Sequence, residues 1–258
     1  MTTTAAVRGL TYWLFRYRRT WRGSIVISVV NPLFFMIALG LGLGKLIDDR
    51  PNPQLHGHTY AEFIVPGLLV AAVMQTAFLE AAGPVFQSTR PTGNYRSASA
   101  TPLRPADIFH GHLLFWLLRA AQNAILFIAV CACFGAVDLV HATLLVPIAV
   151  LVAVAFCAPA SAWAVTVDRP AKLNMMFRFV ILPLYMFSGT FFPIEQLPSW
   201  LQPVAWATPL WHGIDLARGV ALDTATLPLT LIHVAYLAAF TAAGIAFARR
   251  NYRRQLYV

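Results

Sequence analysis

Apolar runs of about twenty residues, the length a bilayer-crossing helix needs, succeed one another along this chain with short polar connections between them. Six are long enough to cross: residues 24–47, 63–87, 109–136, 142–166, 174–193 and 226–248. Ahead of the first lies a different rhythm. Within residues 5–22, Leu10, Trp13, Leu14, Tyr17 and Trp21 fall within about 60 degrees of one direction at helical spacing, and Arg8, Arg16, Arg18, Arg19 and Arg22 occupy the other side. This predicts an interfacial helix, aromatics in the acyl boundary and guanidinium groups toward anionic headgroups. The pattern as a whole predicts an all-α polytopic membrane protein, one domain over residues 1–258, with no room for a sizeable soluble unit.

The stretch from Phe187 to Gly219 is apolar and aromatic, yet broken by Pro193, Pro198, Pro203 and Pro209. Each interior proline removes a backbone donor and clashes with the preceding turn, so one straight span is excluded. The prediction is a segment, 194–222, that enters the outer membrane layer as short re-entrant helices and returns. Irregular backbone at that depth survives only where protein or a water-filled path covers it, which points to transport rather than to a plain anchor. Trp200, Trp206 and Trp211 read as interface anchors, and with Phe191, Phe192 and Pro193 they form a candidate outer gate. Asp215 and Arg218, three apart, read as an interfacial helix pair.

Composition agrees with the pattern. The chain is 59% hydrophobic and 11% charged, with mean hydropathy +0.65, against about 45–50% and 25% in soluble domains. A net charge of +9 could suggest nucleic acid, but placement decides otherwise. Arg8 to Arg22, then Arg90, Arg96 and Arg104, then Arg169, Lys172 and Arg178, and finally Arg249, Arg250, Arg253 and Arg254 all fall on one side of the alternating spans. The other side holds Lys45, Arg50 and Arg218 and most of the acids: Asp48, Asp49, Glu62, Asp138, Glu195, Asp215 and Asp223. By the positive-inside rule both termini are cytoplasmic, the chain is multi-pass in the cell membrane, and nucleic acid is not a partner. The first apolar run is too long for a signal-peptide core and has no small-residue cleavage site after it, so it reads as retained. Cys131, Cys133 and Cys157 lie within spans and imply no disulfide framework.

Two charges fall inside the membrane. Glu80 lies about 12 Å above the end of the second span and Arg119 about 16 Å into the third, at comparable depth. An ion pair is the simplest arrangement, with Gln122 and Asn123 extending the polar face. It serves either as part of a substrate route or latch, or as a pin that fixes helix register. Gly40-Leu-Gly-Leu-Gly44-Lys45 lacks the pattern of a phosphate loop, having Leu39 and Leu46 where glycine and a hydroxyl residue are needed. Gly40 and Gly44 instead offer a small surface for helix packing. The chain therefore binds no nucleotide itself. His56, His58, His110, His112, His141, His212 and His233 show no metal-ligand spacing and read as loop and interface histidines. In the interior loop 88–105, Pro91 and Pro102 bracket a short helix on which Tyr95 reads as an exposed anchor for a protein contact.

These residues together resemble the membrane subunit of ABC type-2 exporters, most similar to the nodulation-factor type, the daunorubicin-type drug permeases and the lipid or polysaccharide export permeases. The resemblance rests on the basic N-terminal helix, Asn31-Pro-Leu-Phe-Phe35, Phe63-Ile-Val-Pro-Gly-Leu68 and Ala100-Thr-Pro-Leu-Arg-Pro105. Most specific are Phe187-Ser-Gly-Thr-Phe-Phe-Pro193, Leu197-Pro-Ser-Trp-Leu-Gln-Pro203 and Thr208-Pro-Leu-Trp-His-Gly213. It implies six spans, pairing with a second permease copy, identical or paralogous, and a separate cytoplasmic ATPase dimer that carries ATP and magnesium. It implies that residues near 92–101 form the helix coupling the two, with Gly93, Asn94, Tyr95 and Arg96 at the contact. Relatives usually carry an acid soon after that glycine; here none occurs until Asp107, so Tyr95 and Arg96 are expected to meet an acidic partner surface. The implied substrate route lies at the dimer interface, with Phe34, Phe35, Tyr185, Met186, Phe187, Gln122 and Asn123 as candidates. Two other readings use the same residues differently. One is a membrane-embedded glycolipid-modifying transferase using Glu195, Asp215 and His212 as acid and base; the other is an ion-coupled secondary transporter, which usually shows internal repeats not seen between the halves.

Overall fold

The first apolar run becomes a continuous helical rod that changes winding part-way. The computed structural model describes residues 3–49, 57–135 and 139–256, helical with no strand among the described residues. After α1 (Thr3–Tyr17), α2 (Trp21–Phe35) passes into a π-wound stretch, Met36–Leu43, and then α3 (Gly44–Asp48). Next come α4 (Tyr60–Ser88), α5 (Asn94–Ser99), α6 (Pro105–Cys133) and α7 (Leu139–Ala164). A second composite rod joins α8 (Pro170–Met176), the π-wound Phe177–Ile181 and α9 (Leu182–Phe187). α10 (Gln202–Trp206), α11 (Pro209–Ala221) and α12 (Leu227–Leu256) complete the chain. Arg50, His56 and Asp138 lie outside the described residues.

Five helical stretches are long and apolar enough to cross a membrane: Trp21–Leu39, Tyr60–Ser88, Pro105–Cys133, His141–Ala164 and Leu227–Leu256. The expected span 174–193 is the composite rod, which starts at Pro170 and stops at Phe187. Gly189, at φ +85°, turns the chain away, and Pro193 comes four residues later.

Local chemistry sets the other boundaries. Thr59 Oγ1 accepts from Glu62 N at 3.3 Å, and Thr59 N donates to Glu62 Oε2 at 3.0 Å. This capping box starts α4 three residues ahead of the apolar run. Pro105 opens α6 at its first turn, where the missing N–H costs nothing. α12 continues past residue 248 because arginine is a good helix former and suits a helix C-terminus.

α4 and α7 form the centre of the bundle. Ile64, Leu68, Leu69 and Met74 of α4, Leu145 and Val152 of α7, Leu210 and Ile214 of α11, and Leu237 of α12 are all fully buried. α1 differs from its prediction in both length and neighbour. It ends at Tyr17, and Trp21 opens the next helix. Its aromatic face turns onto α6 rather than into acyl chains: Trp13 is 4% exposed and stacks on His112 at 3.7 Å and 11°. Gly9 and Gly111 make this possible, because a Cβ on Gly111 would lie 2.8 Å from the Gly9 Cα. Leu14 and Trp21, expected on the same face, stay exposed.

Candidate functional site

Arg119, buried on α6, is the centre of a polar knot that draws four helices together. Its Nε donates to Glu80 Oε1 at 3.0 Å and its Nη2 to the same oxygen at 2.6 Å. Nη1 donates to Tyr17 Oη at 2.7 Å and to Gln122 Oε1 at 3.0 Å, and Nη2 also reaches Ser24 Oγ. These contacts occupy all of the guanidinium's N–H directions. Its Cζ also lies 4.5 Å from the Tyr17 ring centroid. Asn123, one residue beyond Gln122, accepts from Ser28 Oγ at 2.7 Å. A cavity of about 220 Å³ opens beside the knot, lined by Ser24, Ser28, Thr76, Glu80, Arg119 and Asn123. Tyr17, Ser24 and Ser28 carry no signal in the sequence that links them to Arg119; only α1 folding back onto α6 brings Tyr17 there.

At the arginine-rich end, Gly93 precedes α5. A side chain there would strike the Ser88 carbonyl, so the tight return from α4 requires glycine. Tyr95 is not an exposed anchor. It is 1% exposed, its hydroxyl lies 2.6 Å from His112 Nδ1 and 3.3 Å from Tyr252 Oη, and its ring packs edge-on to Trp13. Burial holds the Tyr95 phenol well above the usual tyrosine range, so it remains a hydroxyl. The expectation failed because Arg96 and the flanking polar residues are on the surface, while the partners of Tyr95 lie on α6 and α12. Arg96 is exposed and Asn94 is half-buried. The neighbouring return is also tied down: Arg90 Nη2 donates to the Asp168 carbonyl at 2.6 Å, and its Cζ lies 3.9 Å from the Phe86 ring centroid.

The opposite end carries the proline-broken segment. It holds a short 3₁₀ turn (Ile194–Gln196), α10 and α11, with Ile194, Leu197 and Ala205 as a small core of their own. Trp200 and Trp206 are exposed, whereas Trp211, Phe191, Phe192 and Pro193 are half-buried. Arg218 turns inward instead of pairing with Asp215. It donates to the Gly189 carbonyl at 2.9 Å and the Phe63 carbonyl at 3.3 Å, with its Cζ 3.8 Å from the Phe63 ring centroid. Asp215 Oδ2 lies 3.0 Å from His233 Nε2, and His233 Nδ1 lies 2.8 Å from His212 Nδ1. His110, His112, His212 and His233 are thus buried packing and hydrogen-bonding groups, not loop or interface histidines. His212 reaches Asp215 only through His233, while Glu195, Asp215 and His233 line one cavity of about 510 Å³. Among the described residues no cluster of three or more His, Cys, Asp or Glu side chains could hold a metal ion.

The sequence model for ABC-2 type transporters matches residues 10–222 of this chain. The chain belongs to the ABC-2 type transporter family. It is similar to Nodulation protein J of Rhizobium meliloti (strain 1021), with 26% identity over 253 residues that cover 95% of this chain and 94% of that protein. Nodulation protein J of Rhizobium leguminosarum bv. trifolii is 27% identical over 228 residues, 85% and 84% of the two chains. The inner membrane transport permease YadH of Escherichia coli (strain K12) is 26% identical over 229 residues, 87% of each chain.

As an ABC-2 permease, the protein is a transport subunit, and the family implies an ATPase subunit as its partner. Its remaining candidate residues divide by exposure. Phe35 and Tyr185, with ring centroids 6.4 Å apart, meet Phe191 between the two π-containing rods. Phe34, Met186 and Phe187 point away from the subunit and are exposed. π-wound turns in helices recur at functional sites, and the permease carries both of its described ones in these rods.

Proposed function

We propose that this ABC-2 permease is the six-span membrane half of an exporter, placed in the inner membrane with both termini cytoplasmic. A second permease copy and a cytoplasmic ATPase dimer complete the machine, and ATP with magnesium binds on the ATPase. The cargo is an amphiphile, drug, lipid or lipid-linked saccharide, carried from the inner leaflet outward. The observation that carries this reading is α5. This six-residue helix stands at the arginine-rich end with Arg96 facing outward, while Tyr95 roots it to α6 and α12. A helix held that way moves its anchoring rods when a partner pushes it.

The same residues suggest the transmission. ATP-driven closure of the partner displaces α5, and the Tyr95, His112 and Tyr252 contacts pass the displacement to α6 and α12. Trp13, stacked on His112, takes α1 along. The knot around Arg119 keeps α1, α2, α4 and α6 in register while the subunit rocks. Export does work only if cargo binds the inward and outward forms with different affinity. The exposed apolar faces of the two π-containing rods are where the second copy and the cargo route are placed. The YadH name, an inner membrane transport permease, supports the location.

Recovery of a soluble ATPase from detergent extracts tests the proposal. The wild-type chain is expected to retain the ATPase in stoichiometric amount, Arg96→Glu to lose it, and Tyr95→Phe to keep it. Substrate turnover by the purified chain with no ATPase present would overturn the exporter reading and favour the transferase or the ion-coupled transporter.

A further inference from the structure

Five arginines from two separate helices converge on one open cavity. Arg104, at the entry to α6, and Arg249, Arg250, Arg253 and Arg254, at the end of α12, line a space of about 1180 Å³ together with Pro105 and Ala106. All five are exposed, and among the described residues no carboxylate forms an ion pair with any of them. The acid nearest in sequence, Asp107, accepts from the Arg104 backbone N at 3.2 Å. Arg249 is held in place through His110, whose Nε2 lies 2.9 Å from its Nη2.

Helix electrostatics accounts for part of this cluster only. Basic residues in the last turn of α12 complement the negative end of its dipole. Arg104 is different, because it caps the positive end of α6, where a cation is unfavourable and an anion is favoured. Four like charges on α12 then face a fifth across the cavity, and among the described residues none carries a counter-charge to them. An anion bound there relieves the repulsion and complements the α6 terminus as well.

Depth selects among anions. Counted from Leu227, α12 crosses about 30 Å of hydrocarbon in some twenty residues and so reaches the far boundary near Phe247. Arg249 and the residues after it therefore sit at headgroup level. We infer that this cavity is a binding site for the phosphate headgroup of an anionic lipid in the inner leaflet. The inference rests on the proposed orientation, not on the ATPase partner. Tyr252, between the arginines in sequence, touches Tyr95, so a bound headgroup stiffens the rod on which α5 is mounted.

Native mass spectrometry of the full chain, released from micelles holding equal phosphatidylglycerol and phosphatidylcholine, reads the site directly. Wild type is expected to retain phosphatidylglycerol over phosphatidylcholine by at least about tenfold. Arg250→Gln/Arg253→Gln/Arg254→Gln should lose that preference. Arg104→Gln, a milder change on the other helix, should weaken it. Arg8→Gln/Arg18→Gln/Arg19→Gln, which removes the same charge from α1 and the turn after it, should leave it intact. Equal retention of the two lipids, equal loss in both triple variants, or an unaffected cavity variant overturns the site. Displacement by inorganic phosphate shows a soluble-anion site, and expulsion of the lipid by added ATPase shows a protein interface; either also overturns it. The lipid count is made without ATPase, so its failure leaves the exporter reading standing, and failed ATPase recovery leaves the lipid site standing.

Discussion

α4 and the rod that α2 forms with its π-wound extension are both apolar and both long enough to cross a membrane, yet they have opposite fates. Of the most apolar stretch of α4, 72% is buried inside the subunit; in the stretch Trp21–Leu39, none of the described side chains is. Hydrophobicity cannot be the cause, since lipid tails are as apolar as leucine and give helices no reason to associate. The difference lies in small residues and polar knots. α4 presents Gly67, Ala71, Ala81 and Ala82 to its neighbours, and a Cβ on Gly67 would lie 2.9 Å from the Thr190 carbonyl. α2 turns Val26, Val30 and Phe34 outward and touches the rest of the subunit through Ser24, Ser28 and Phe35. One helix is scaffold; the other turns an apolar face out of the subunit.

The largest test of that contrast is Arg119→Leu. It strands the Glu80 carboxylate in the membrane interior and is expected to cost about 3–5 kcal/mol, read as lost monodisperse protein in detergent. Pairing it with Glu80→Met should restore folded yield; if export returns as well, the knot is a structural pin, and if export stays absent it is part of the cycle. Next in size is Gly111→Val, which forces α1 off α6 at about 1–3 kcal/mol and should open the Arg16–Arg19 turn to trypsin. Tyr95→Phe removes one buried hydroxyl, worth about 1 kcal/mol, and should raise ATP consumed per substrate moved without releasing the ATPase. Smallest in stability are Phe34→Ala and Phe187→Ala, expected within about 0.5 kcal/mol of wild type, with the change appearing in dimer recovery or cargo range. If Phe34→Ala destabilised the isolated subunit as much as Gly111→Val, the division into scaffold and surface would be wrong.

The membrane class was legible because a twenty-residue apolar run has few other uses, and the family because the proline-broken segment is a specific string. Helix ends were less so. α12 runs on to Leu256 since arginines end an apolar run without ending a helix, and α4 begins early through Thr59 and Glu62, whose capping lies outside hydropathy. Glu80 and Arg119 could be paired from depth alone. Tyr95 could not be placed, because its partners, His112 and Tyr252, lie 17 and 157 residues away. Arg218 escaped for another reason: its acceptors are main-chain carbonyls of Phe63 and Gly189, and a carbonyl has no letter in the sequence.

The order of residues around Arg119 bears on how the subunit is made. Tyr17, Ser24 and Glu80 all precede Arg119 in the chain, and Gln122 comes three residues later. During synthesis, every long-range partner of this arginine has left the ribosome before the arginine itself emerges. A guanidinium entering the bilayer on an isolated helix costs about 2.5–3.5 kcal/mol on translocon insertion scales. Chain order thus has these acceptors synthesised before α6, so the charge can be neutralised on entry instead of after assembly.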